Sequence, residues 1–171
     1  MMIHPHVNRT DYVYDIDRLL LDWERLAPKI KWYNNLQTCL QYDSKICRSR
    51  MYVDGAGSFK QTSKIESDYD TLAPLYEGTL FERIINDLNG VRSRVMTLDR
   101  HTTYSVHKDR TKRYHLALIT NPHAFFLFPY SGWDNLVQIP ADGYVYEVDT
   151  TQSHSFINCG ESRTHLVIGS R

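Results

Sequence analysis

The sequence predicts a mainly β fold, a jelly roll with N-terminal α-helices packed against it, and three observations carry that expectation. From Arg92 onward, short β-prone runs follow one another with turn signals every eight to twelve residues, at 92–98, 103–107, 113–120, 124–128, 136–139, 144–148, 154–158 and 164–168. That spacing belongs to an antiparallel sandwich or barrel. Upstream of it, two stretches have helical periodicity instead. The length, 171 residues, suits one domain with a core of useful size.

Taken in order, the chain opens on Met1-Met2-Ile3-His4-Pro5-His6, where no basic segment precedes an apolar run; His4 and His6 read as residues of a flexible terminus. Residues 16–27 place Ile16, Leu19, Leu20, Trp23 and Leu26 on one side and Asp17, Asp22, Glu24 and Arg25 on the other, a helix ended by Pro28. Residues 36–42 and 51–53 read as short strands, and 54–70 as loop. Thr79 with Glu82 three residues on forms the pattern of a helix N-cap, followed by Phe81, Ile84, Ile85 and Leu88 and closed by Asn89-Gly90. The reading is thus a single domain, with 1–90 helical or mixed and 91–171 forming the jelly-roll core. Asn121-Pro122, Ser131-Gly132, Asp142-Gly143 and Cys159-Gly160 mark turns between its strands.

Composition narrows the partners. Twenty basic residues balance twenty acidic ones, so no long-range positive field favours nucleic acid or an anionic membrane, and the cluster Lys108, Arg110, Lys112, Arg113 reads by itself as a solvated loop. No stretch approaches the roughly 18 apolar residues of a membrane span. A cytoplasmic protein acting on a small-molecule or peptidyl partner is the expectation. Cys39, Cys47 and Cys159 contain no C-x-x-C pair and read as buried thiols. Neither phosphate-binding glycine motif occurs.

The chemistry is expected at His107-Lys108-Asp109, whose outer residues project to the same face of an extended chain. His154 follows 47 residues after His107. Two histidines and one carboxylate on one side of an ion leave positions open for cosubstrate and dioxygen, as non-haem Fe(II) oxygenases require; a closed structural zinc site takes four protein ligands, usually with Cys. Arg163 stands nine residues beyond His154, across a turn at 158–161 that reads as a hairpin. Its guanidinium suits a bidentate grip on a carboxylate. In the run 113–120, Arg113, His115, Ala117 and Ile119 share one face, polar at its start and apolar beyond.

Together, Arg92-Ser-Arg94-Val-Met-Thr-Leu98, His107-Lys-Asp109, Arg113-Tyr-His115-Leu-Ala-Leu-Ile-Thr-Asn121, the stretch from Tyr146 through His154 to Asn158, and Arg163-Thr-His165-Leu-Val-Ile168 resemble the aspartyl/asparaginyl β-hydroxylase family, and within it the bacterial cis-proline hydroxylase-like branch. The resemblance covers about the last eighty residues. It implies a cupin-like double-stranded β-helix, Fe(II), and 2-oxoglutarate and O2 as cosubstrates in the hydroxylation of an unactivated C–H bond. By it, His107, Asp109 and His154 match the metal ligands, Arg163 the 2-oxoglutarate-binding arginine, and Arg113 and His115 the strand that helps hold the cosubstrate. Vertebrate-type members carry Gly where Asp109 stands, and their 2-oxoglutarate-contacting serine has no counterpart here, Met96 falling near its place. Arg92, Arg94, Tyr104 and Trp133 are candidates for the substrate side. The alternatives are a non-catalytic cupin-like binding protein and an isomerase with Mn(II), Ni(II) or Zn(II) in the same triad, the latter having no general need of Arg163.

Overall fold

The computed structural model describes residues 1–34, 36–45, 48–57, 63–132 and 134–171. In chain order its elements are β1 (Met2–His4), β2 (Val7–Val13), α1 (Ile16–Leu26), β3 (Gln37–Cys39), β4 (Gln41–Tyr42), β5 (Thr71–Leu72), α2 (Leu80–Asp87), β6 (Val91–Leu98), β7 (Thr102–Thr103), β8 (Arg113–Ile119), β9 (Ala124–Leu127), β10 (Leu136–Val137), β11 (Tyr144–Val148), β12 (Ser155–Asn158) and β13 (Arg163–Gly169). Two compact units result, the first from Met1–Ile16 and Thr97–His165, the second from Asp17–Met96 and Leu166–Arg171.

The first unit holds two sheets. One runs in the order β1-β2-β11-β8-β13-β6, to which β6 and β13 contribute their Thr97–Leu98 and Arg163–His165 ends; the other runs β10-β9-β12-β7. β11 pairs antiparallel with both β2 and β8, and β12 with both β7 and β9. Inward-facing Ala117, Phe126, Phe128, Tyr146, Val148 and Phe156 from the two sheets form the core with Val7 and Leu98. This is the mainly β, two-sheet arrangement of a jelly roll.

β1 and β2 were not expected. Along Val7–Val13 the burial runs from buried Val7 to exposed Tyr12 and Val13, so no apolar alternation announces a strand. Backbone pairing with β11, Val7 opposite Val148 and Arg9 opposite Tyr146, holds it instead, with the Arg9 guanidinium 4.2 Å from the Tyr144 ring centroid. His4 is buried rather than flexible: its ring stacks on Phe128 at 5.0 Å, its Nε2 donates to the Asp134 carbonyl at 2.7 Å and its Nδ1 accepts from the His6 N–H at 3.1 Å.

In the second unit α1 occupies the expected residues, and Pro28 falls in a one-turn 3-10 helix, Ala27–Lys29, that ends it. Thr79 has the extended backbone of an N-cap, but its hydroxyl donates back to the Tyr76 carbonyl at 2.6 Å. The Leu80 N–H is received instead by Asp22 of α1 at 2.8 Å, and Glu82 accepts the Gly78 N–H at 2.7 Å. A tertiary carboxylate therefore does the capping. At the other end Asn89 turns left-handed, φ 47°, and Gly90 follows because a Cβ there would lie 2.3 Å from the Ile168 side chain.

The expected strand at 36–42 is present as β3 and β4, but Met51–Val53 is not one: the Val53 and Asp54 N–H groups both donate to the Arg50 carbonyl in a turn. Of the cysteines, Cys39 is buried as expected, whereas Cys159 is exposed; Cys47 lies outside the described residues. No helix among the described residues is long and apolar enough to cross a membrane.

Candidate metal centre

His107 and His154 face each other as a bridged antiparallel pair, each N–H donating to the other's carbonyl at 2.9 Å. One step further along, the Asp109 N–H donates to Thr150 at 2.8 Å. The segment 107–109 is thereby tied alongside 150–154, and the two-residue period of extended chain sends His107 and Asp109 to one side. The ligand atoms of His107, Asp109 and His154 lie within 4.8 Å of one another, so these three can hold a metal ion.

Hydrogen bonds to the backbone prepare both imidazoles. His107 Nδ1 contacts the Ser105 carbonyl at 2.7 Å and His154 Nδ1 the Gln152 carbonyl at 2.9 Å. A carbonyl only accepts, so each Nδ1 carries the proton and each Nε2 keeps its lone pair for a metal. Burial, with a smaller contribution from the neighbouring His107, lowers the His154 pKa below the usual histidine range, which favours the neutral, ligating form. Phe126 and Phe128 back its ring at 6.3 and 6.2 Å.

Arg113 and His115 project from β8 toward the core with Ala117, as the strand's period requires, whereas Ile119 at the strand's end is exposed. Arg113 Nε lies 3.6 Å from Asp109 Oδ2. His115 packs edge-on against Phe126 at 4.9 Å and lies 5.8 Å from the ring of His165.

Arg163 reaches the interior by a different route from the one its spacing suggested. The 158–161 turn does not close a hairpin, because β12 and β13 lie in different sheets. Asn158 fixes this crossing, donating from Nδ2 to the carbonyls of Leu98, Asp99 and Glu161 and accepting the Gly160 N–H. Arg163 then meets β12 across the core, its guanidinium 3.7 Å from the Phe156 ring centroid. It is 2% exposed, and its Nε and Nη1 have no hydrogen-bond partner among the described residues. Burial draws its pKa down to about 10. A buried guanidinium without a carboxylate is unfavourable unless an anion joins it.

The substrate-side candidates fare differently. Arg92 belongs to the second unit, where it donates to the Gly55 and Gly57 carbonyls and pairs with Glu66 at 3.0 Å, contacts that hold that loop. Arg94, in the same unit, donates to Gln37 at 3.1 Å. Tyr104 is in the first unit, its buried hydroxyl without a hydrogen-bond partner among the described residues. Trp133 lies outside the described residues. A cleft of about 260 Å³ has Lys108, Phe128, Tyr130, Gln152 and Ser153 in its wall; none of the three candidate ligands lines it, but Phe128 and Gln152 also touch His154.

Sequence reasoning passed over His165, which is fully buried beside Arg163 with neither ring nitrogen hydrogen-bonded among the described residues. The signal was there: two residues apart on a strand, Arg163 and His165 share a face.

The fold and these side chains define a two-sheet β unit carrying a His-x-Asp…His cluster beside a buried arginine. No protein-family model matches the chain, and no curated protein matches its sequence. Among solved structures it is similar to a prolyl-4-hydroxylase from Pseudomonas putida, with a TM-score of 0.50 and 15% identity over 98% of this chain and 94% of that one. HygX from Streptomyces hygroscopicus, solved with nickel and 2-oxoglutarate bound, matches at a TM-score of 0.48 and 9% identity over 96% of this chain and 83% of that one.

Proposed function

We propose that this chain is an Fe(II)- and 2-oxoglutarate-dependent dioxygenase that hydroxylates a C–H bond of an amino acid, a peptidyl residue or a related small molecule, within the aspartyl/asparaginyl β-hydroxylase family and nearest its cis-proline branch. The observation that carries the reading is the presence, inside one unit, of a two-nitrogen, one-carboxylate ligand set and a buried arginine with orphaned donors. The ligand types suit Fe(II) with open positions. The orphaned guanidinium suits a cosubstrate that brings its own carboxylate. The shared fold with a prolyl-4-hydroxylase is compatible with this activity.

Each residue then has a task. His107 and His154 present Nε2, their rings fixed through Nδ1, and Asp109 presents a carboxylate oriented by Arg113. Arg163 pairs with the distal carboxylate of 2-oxoglutarate, and His115 stands on the inward β8 face, its ring 5.8 Å from that of His165 beside Arg163. Phe126 and Phe156, both buried, exclude water there. When bound, iron and its cosubstrate supply the oxidation: O2 is consumed, 2-oxoglutarate becomes succinate and CO2, and a substrate C–H bond becomes C–OH.

Release of CO2 from 2-oxoglutarate labelled at C1 tests the proposal, with proline and other amino acids screened as substrates. Fe(II)-dependent release, stimulated by the substrate and abolished in Asp109→Ala, is the expected result. Folded protein that binds metal and releases no CO2 with any substrate would make it a non-catalytic cupin-like binder.

A further inference from the structure

Five orphaned polar atoms sit in one part of the first unit: Nε and Nη1 of Arg163, both ring nitrogens of His165, and the hydroxyl of Tyr104, none hydrogen-bonded among the described residues. Buried polar groups are ordinarily paired, so a cluster of exceptions calls for a cause. The Arg163 and His165 side chains meet at Phe156, and Tyr104 is tied to the same residue through the backbone. The Phe156 ring lies 3.7 Å from the Arg163 guanidinium carbon and 5.7 Å, edge-on, from the His165 ring, and the Phe156 carbonyl accepts the Tyr104 N–H at 3.1 Å. Tyr104 is also near enough to act electrostatically on Arg163.

We infer that His165 and Tyr104 complete, with Arg163, the subsite for the distal carboxylate of the cosubstrate, and so determine its preference for a dicarboxylate over a 2-oxo acid without one. The inference rests on the oxygenase reading and adds two residues to it. It also moves Tyr104 from the substrate side to the cosubstrate side.

The donor count supports it. A carboxylate offers about four lone-pair sites. One bidentate edge of the Arg163 guanidinium supplies two donors, and one N–H from a neutral imidazole and one phenolic O–H bring the number to four. His165 is suited to the neutral role: complete burial holds its pKa well below the ordinary range, and the Arg163 and His115 charges act in the same direction. A neutral donor adds a hydrogen bond without adding a second buried charge beside the guanidinium. Arg163 alone would leave about half of the carboxylate's sites to other partners.

The test is calorimetric titration of 2-oxoglutarate, and separately of 2-oxobutyrate, which lacks the distal carboxylate, into Mn(II)-loaded protein. His165→Leu should weaken 2-oxoglutarate at least tenfold, leave 2-oxobutyrate within about twofold and leave Mn(II) affinity unchanged; a merely structural role would weaken all three. Tyr104→Phe, which keeps the ring, should weaken 2-oxoglutarate at least threefold with the same selectivity, and His165→Gln, which keeps a donor, should recover part of the loss. If His165→Leu does not fold, the latter two variants decide. Folded variants that retain the wild-type preference would overturn the inference while leaving the oxygenase reading intact. A wild-type protein that binds metal but not 2-oxoglutarate would overturn both.

Discussion

Arg113 Nε approaches Asp109 Oδ2 to 3.6 Å, joining the first residue of β8 to the carboxylate of the candidate metal cluster. The arginine side chain is 3% exposed and the aspartate 30%, so the contact links a buried group to a partly exposed one. Its consequence is orientation: the loop bearing Asp109 is held to the sheet at its side chain as well as through its backbone contact with Thr150.

Arg113→Ala should therefore reduce divalent-metal affinity by roughly 10- to 100-fold, the usual effect of removing a group that orients a ligand. Arg113→Lys should recover only part, since an ammonium lacks the planar fork. Calorimetric titration with Mn(II) measures both. Unchanged affinity in Arg113→Ala would mean that Asp109 is oriented without it.

Arg163→Met should act in opposite directions on stability and binding. Removing an uncompensated buried guanidinium should raise the ligand-free stability by on the order of 1 kcal/mol. The same change should raise the 2-oxoglutarate requirement at least tenfold, through loss of a charge-assisted contact. Thermal unfolding and a binding titration read the two effects. A large loss of ligand-free stability would show that the arginine is structural.

His165 gives the fold a pH dependence. The groups facing it are Arg163 from its own strand, His115 from β8 and Phe156 from β12. Its folded pKa lies well below 6.5, so as pH falls through that value the unfolded chain takes up a proton that the folded chain refuses. Stability is fully present above the unfolded pKa and declines below it, by about 1.4 kcal/mol per pH unit for one such group until the folded pKa is reached. Denaturant unfolding of the metal-free protein between pH 5 and 7 should show the decline, and His165→Leu should flatten it. An equal slope in that variant would assign the dependence to other histidines.

In the second unit, Arg92→Ala should destabilise by about 3–5 kcal/mol, because it removes the guanidinium paired with the buried Glu66 carboxylate and the donor to two loop carbonyls. Urea unfolding measures this. A change below about 1 kcal/mol would contradict the structural role assigned to Arg92.

The pairing of His107 with Asp109 was legible because its signal is local, H-x-D putting both on one face, and turn-punctuated runs fell on the strands from β6 to β13, although 103–107 is a strand only at Thr102–Thr103. What escaped depends on distance. β2 has one buried residue and is held by a backbone ladder with β11, which no side-chain pattern encodes. The α2 N-terminus is capped by Asp22, 58 residues before Leu80. Arg92 sits on a strand but turns left-handed, φ 50°, a backbone conformation that no residue pattern around it announces. The turn after Asn158 has the composition of a hairpin yet switches sheets, and only the partners of β12 and β13 distinguish the two. His165 looks like an ordinary strand residue until Phe156 and His115 are known to flank it.

The most direct test is anaerobic addition of 2-oxoglutarate to the Fe(II)-loaded protein, watching for the weak visible metal-to-ligand charge-transfer band of a chelated 2-oxo acid. The account predicts a saturable band in the wild type that is lost in His154→Ala and shifted to higher 2-oxoglutarate concentration in Arg163→Met. Folded, iron-loaded wild-type protein without that band would contradict it.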